Sequence, residues 1–271
     1  MDDIVGNVDR SIKDLISIKR TTFFDYKGMK KVLICFHGYQ TRNIHDLQEF
    51  KNYFEEKNGD KNCEVYLANL YDFGDKTTYN QKLMYDRARS VTKAFIDKGY
   101  LVYVLAYSFS AGIGARICEE FPEISKLVLV SPTTYLLKTK LLINYLKVAY
   151  NHIKFRIKFK KKASSIMKKT KIAGIVKLSY AISVSIVINR KHLKKLRCKI
   201  FMIKGLNDEF SISNTFSYVS NKAKRAITVS KIYPGRNHTM IINRETGIDE
   251  YNDILKFVFH MNISEDSLEI I

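Results

Sequence analysis

Short unbroken apolar runs alternate along this chain with longer stretches of helical spacing. The first run, "KKVLICF" at 30–36, follows a polar stretch and ends in "HGYQ". The second, "CEVYLANL" at 63–70, runs into the loop "YDFGDKT". Residues 81–97 then place Leu83, Met84, Ala88, Val91, Ala94 and Phe95 at a period near 3.6, and Gly99 supplies a stop. "LVYVLA" at 101–106 is a third run, and a helix is expected from Phe109, with Pro122 just beyond its end. "KLVLVS" at 126–131 closes at Pro132, and "CKIFMIKG" at 198–205 and "AITVSKIYPG" at 226–235 complete the strand-like runs. Helices are expected near 213–224 and over 248–261, where Ile254, Leu255, Val258 and Phe259 share one face. Runs of this kind are strands buried on both faces, because a half-exposed strand would alternate apolar with polar. The prediction is an α/β fold: a mostly parallel central sheet with helices on both sides. The segment "SIKRTTFFDYKG" before residue 30 is read as an edge hairpin.

One interval breaks the rhythm. Between the strand ending near 131 and the one beginning near 198, "KTKLLINYLKVAY" at 138–150 has the spacing of an amphipathic helix, and "IKFRIKFK" at 153–160 alternates strictly. Charge makes this interval stand out further. The chain of 271 residues has a formal net charge of +19, yet from Ile124 to Asn207 every charged side chain is Lys or Arg. The rest of the chain is close to neutral. A solvated surface usually mixes signs, so a segment without acids is expected to meet an anionic surface such as lipid headgroups. A lid whose lysines merely face water is the plainer alternative.

Composition adds bounds rather than a function. With 46% hydrophobic residues the chain has material for a sizeable core, and with only three prolines it offers little linker. The division expected is a core of 1–133 and 198–271 with an insertion of 134–197. Cys35, Cys63, Cys118 and Cys198 form no CxxC pair, so no zinc site is expected and a reducing, cytoplasmic setting is. The start, "MDDIVGNVDR", has no apolar stretch of the secretory kind. The longest apolar run, Ile172 to Ile188, carries Lys177 and three serines, so no spanning helix is expected.

The chemistry-bearing residues cluster at the carboxyl ends of predicted strands, which is where open α/β sheets build their sites. His37-Gly38-Tyr39 follows the first strand, Ala106-Tyr107-Ser108-Phe109-Ser110 the third, Gly205-Leu206-Asn207-Asp208 the fifth, and Gly235-Arg236-Asn237-His238 the last. Taken singly each has a bland reading: Ser108 as a helix N-cap, Asp208 as another, His238 as a loop residue. In combination, and in the order Ser, Asp, His, they resemble the α/β-hydrolase family from about residue 30 to 262. The elbow around Ser108 departs from the usual G-x-S-x-G, with Ala106 and Ser110 in place of the two glycines.

The resemblance implies a serine hydrolase acting on carboxylic esters through an acyl-enzyme. Ser108 is the implied nucleophile, His238 the base and Asp208 the residue that orients it. The implied oxyanion hole is the backbone N–H of Phe109 with that of Tyr39, Gln40 being a second candidate. The loop after the fourth strand, "SPTTYLL", has no carboxylate, which leaves Asp72 and Asp75 as rivals to Asp208. His37 is expected to set the turn at Gly38. His45, His152, His192 and His260 are expected to be structural or exposed. No cofactor and no metal are expected. The expected substrate is a lipid-like or small acyl ester, with an anionic membrane surface as partner through the basic cap and nucleic acid not expected. Thioesterase and aminopeptidase activities belong to the same fold. The competing reading is a degenerate hydrolase fold that binds an anionic partner.

Overall fold

A computed structural model describes residues 28–38, 43–72, 81–133, 192–208, 210–211 and 214–260. The six strands among them are β1 (Lys31–Phe36), β2 (Cys63–Ala68), β3 (Leu101–Tyr107), β4 (Lys126–Val130), β5 (Lys199–Gly205) and β6 (Ile227–Tyr233). The helices are α1 (Gln48–Lys57), α2 (Gln81–Asp97), α3 (Ala111–Glu120), α4 (Thr215–Lys222) and α5 (Arg244–Phe259). All five strand pairings are parallel, in the order β2-β1-β3-β4-β5-β6. This is the parallel, doubly covered sheet expected from the apolar runs.

The two faces follow from the two-residue period of a strand. Val32, Ile34, Val104, Ala106, Leu129 and Met202 point to one side and pack with residues of α2, α3 and α4. Leu33, Cys35, Leu105, Tyr107, Val130 and Ile203 point to the other and pack with α1 and α5. Both faces are therefore dry over the central strands β1, β3, β4 and β5, which are buried at successive positions, while the edge strands β2 and β6 keep exposed positions.

Two boundaries and one helix differ from expectation. The helix expected from Phe109 starts as a single 3₁₀ turn, Ser108–Ser110, before α3 begins at Ala111. The closing helix begins at Arg244, a turn earlier than expected, because Asn243 caps it: its side chain accepts the Glu245 N–H. Helix α1 was not expected at all, although Phe50, Tyr53 and Phe54 fall at i, i+3 and i+4 and are its buried residues. The predicted edge hairpin before residue 30, and the predicted helix and alternating stretch of 138–160, lie outside the described residues.

Candidate active site

The site grows from the carboxyl ends of β1, β3, β5 and β6. At β3 the chain turns from extended backbone at Tyr107 to a left-handed Ser108, with φ of 58°. A non-glycine residue there costs about 1–2 kcal/mol of backbone strain. The turn projects the hydroxyl beyond the sheet and starts a helix immediately. Such a sharp turn demands close packing of helix on strand. Gly114 in α3 supplies it: a Cβ there would lie 2.7 Å from the Ala106 Cβ.

Ser110, the second departure from the glycine pattern, has a structural task. Its hydroxyl lies 2.9 Å from the Phe36 carbonyl oxygen and 2.8 Å from that of Tyr107. A single O–H shared between these acceptors ties the elbow to the end of β1. A glycine could not make this link.

At β1, His37 is fully buried. Its Nδ1–H donates to the Gly38 carbonyl at 2.8 Å, and its Nε2 accepts the Leu70 N–H at 3.0 Å. These partners assign the neutral tautomer. Burial pushes its pKa down to about 4, against smaller raising effects from the Gly38 carbonyl and Asp46. The Tyr71 hydroxyl donates to the same Gly38 carbonyl at 3.3 Å. His37 thus sets the turn at Gly38, as expected. Tyr39 and Gln40 lie outside the described residues.

The β5 and β6 loops cross closely. A Cβ on Gly205 would meet the Arg236 carbonyl oxygen at 2.1 Å, so only glycine fits. The Leu206 N–H donates to the Tyr233 carbonyl and the Asn207 N–H to the Arg236 carbonyl, each at 2.9 Å. Arg236 is held in turn by Glu250 of α5, Nε to Oε1 at 2.9 Å. This clasp brings Asp208 and His238 together.

Ser108 Oγ lies 2.8 Å from His238 Nε2, and His238 Nδ1 lies 2.9 Å from Asp208 Oδ1. The ionised carboxylate accepts only, so Nδ1 carries the proton and Nε2 accepts from the serine hydroxyl. Asp208 Oδ1 also accepts the backbone N–H groups of Phe210 and Ser211. Burial alone would raise the Asp208 pKa. The His238 hydrogen bond and charge, the Ser211 amide and the Ser131 hydroxyl outweigh it, so the carboxyl lies below its ordinary value. Asp208 Oδ2 is buried without a close hydrogen-bond partner, as is the Ser131 hydroxyl that faces the carboxyl from the end of β4. Two aromatic rings flank the imidazole. Tyr107, buried, lies 5.7 Å away and donates its hydroxyl to the His238 carbonyl; Phe210, partly exposed, lies 4.9 Å away edge to face.

The other candidates fall elsewhere. Asp72 is an exposed surface residue whose carboxylate accepts from Arg87 and Asn69. Asp75 and His152 lie outside the described residues. His192 bonds Glu119, His260 ends α5 in left-handed backbone beside Lys126, and His45 is exposed. Among the described residues no three metal-ligating side chains converge, and no helix is long and apolar enough to cross a membrane. Sequence reasoning missed Ser131 and Phe210. The first carried a faint signal as the polar residue at a strand end; the second had none, because its contact with His238 is made across two loops.

Neither a protein-family model nor a curated protein matches the chain. Solved structures do resemble it. One of the metagenome-derived lipolytic enzymes LipS and LipT superposes with a TM-score of 0.60 at 9% identity, over 86% of this chain and 95% of that one. An esterase from Exiguobacterium antarcticum gives 0.59 at 14% identity, over 86% and 93%. A monoacylglycerol lipase from Paleococcus ferrophilus gives 0.55 at 13% identity, over 86% and 97%. At these identities the likeness is one of fold.

Proposed function

The chain has the α/β-hydrolase fold, and on that footing we propose that it is a serine hydrolase of carboxylic esters. The observation that carries the reading is the unbroken line from Ser108 Oγ through His238 to Asp208, with contacts of 2.8 and 2.9 Å. A serine hydroxyl needs such a base to attack a carbonyl. Ser108 Oγ bonds to the ester carbon while its proton passes to His238 Nε2. The carbonyl oxygen takes up the negative charge facing the backbone N–H of Phe109, with Tyr39 supplying the second donor. The bond to the leaving oxygen then breaks, and His238 returns the proton to that oxygen. Water repeats the sequence on the acyl-enzyme: its proton goes to His238, its oxygen to the acyl carbon, and Ser108 leaves with the proton. Asp208 stays ionised throughout and stabilises the imidazolium.

The substrate class belongs to the same proposal: a lipid-like or small acyl ester, admitted past a cap formed by 134–197. The Thr133 N–H, next to this segment in the chain, lies 3.4 Å from the Ser108 carbonyl oxygen. The absence of acids from Ile124 to Asn207 favours an anionic lipid surface as the place of work.

A fluorophosphonate probe tests the reading. The intact chain is expected to be tagged covalently, and Ser108→Ala to lose both the tag and at least about 10⁴-fold in ester turnover. A folded protein that resists the probe would support the binding reading instead.

A further inference from the structure

We propose that Phe210 forms the wall of the leaving-group site, and that the preferred leaving group is an apolar alcohol, aromatic or branched. This rests on the reading of Ser108 and His238 given above. In that reaction His238 Nε2 returns its proton to the departing oxygen, so that oxygen must come within about 2.6–3.2 Å of Nε2. Whatever is attached to it must then pass alongside the imidazole. Tyr107, 5.7 Å from the imidazole, is buried and hydrogen-bonded to the His238 carbonyl at 3.1 Å, so it has no open surface to offer. A second ring, Phe210, also packs against the imidazole, its centroid 4.9 Å from that of His238 at an interplanar angle of 62°.

Phe210 is 38% exposed, while its backbone is held by its own N–H on Asp208 Oδ1 at 2.9 Å. An aromatic ring packed on the His238 imidazole and kept partly open to solvent offers apolar surface to the leaving group. An aromatic or branched alcohol buries that surface and releases its water. A polyol such as glycerol turns hydroxyls toward ring carbon and gains no hydrogen bond there. The site therefore selects on the alcohol side of the ester, separately from the acyl chain. Phe210 is a specificity residue, distinct from the residues that move the proton.

The test uses esters that share one acyl group and differ in the alcohol: benzyl and cyclohexylmethyl against ethyl and glyceryl. Each is measured with the full chain and with Phe210→Ala and Phe210→Leu. Comparing variants on the same ester cancels the intrinsic reactivity of each alcohol. Phe210→Ala is expected to lose about tenfold more in kcat/KM on the benzyl and cyclohexylmethyl esters, through KM, than on the ethyl and glyceryl esters. Phe210→Leu, which keeps an apolar wall, is expected to retain most of the preference. An equal loss on all four esters would mean that the ring only supports His238 and would overturn the proposal, as would no loss on any. Fluorophosphonate tagging separates the two levels. Tagging with a flat alcohol preference removes the wall alone, whereas no tagging and no turnover by the intact chain removes the hydrolase reading and this inference with it.

Discussion

Ser108, Ser110 and His37 each hold a conformation or a charge state that an isolated peptide would not choose. Ser108 sits in left-handed backbone, Ser110 bridges two carbonyls, and His37 is kept neutral inside the protein. The last has a measurable consequence. In the unfolded chain an imidazole titrates near about 6.5, and in the folded chain burial lowers His37 to about 4. Between those values the unfolded state binds more protons, so the stability due to His37 is complete above the upper value. It falls as pH drops toward the lower one, by on the order of 3 kcal/mol. Urea unfolding at pH 7, 5.5 and 4 reads this slope, and His37→Gln is expected to flatten it. A slope unchanged in the variant would assign the acid sensitivity elsewhere. Asp208, whose folded pKa is depressed, acts in a lower window. Its contribution is present above the ordinary carboxylate range and is lost only as pH falls through its own lowered pKa. The serine-bearing turn after β3 was legible in the sequence at this scale, but the task of Ser110 was not. Its acceptor Phe36 lies 74 positions away, and local patterning carries no information about so distant a neighbour.

At the scale of elements, the site depends on how closely adjacent pieces approach. Helix α3 lies against β3 at Gly114, and the β5 loop lies against the β6 loop at Gly205. Gly205→Ala would drive a Cβ to 2.1 Å from a backbone oxygen that has no free rotation. The clasp between Asn207 and Arg236 must then open, carrying Asp208 away from His238. The expected outcome is a loss of about 3 kcal/mol in stability together with most of the activity. Gly59→Ala, where nothing lies within 4 Å, is the control expected to change neither. Thermal unfolding and ester turnover on both variants check this, and a stable, active Gly205→Ala would show that the two loops have slack. The strands were legible because burial on both faces leaves a continuous apolar run. Helix α1 escaped notice because the mean polarity of "QEFKNYFEEK" hides its three buried rings. The start of α5 was misjudged because its first turn carries no apolar side chain, and only the Asn243 cap marks it.

For the whole molecule, the strongest remaining feature is the one-signed charge between Ile124 and Asn207. If that segment brings the chain to anionic lipid, sedimentation with anionic vesicles at low salt should carry the protein down. Neutral vesicles should not, and added salt should release it, since the Debye length shrinks to about 3 Å at 1 M. Indifference to lipid charge at low salt would leave the lysines as a solvated face. By itself the sequence determined the alternation of strands and helices, the parallel covered sheet, and the order of Ser108, Asp208 and His238 along the chain. Those follow from burial periodicity and turn chemistry, which act over a few residues. Only the tertiary structure decided that Asp208 rather than Asp72 meets His238, that Ser110 ties the elbow to β1, and that Phe210 stands beside His238. The strand order and the crossing of the β5 and β6 loops set those meetings, bringing together side chains separated by many positions that no local pattern connects.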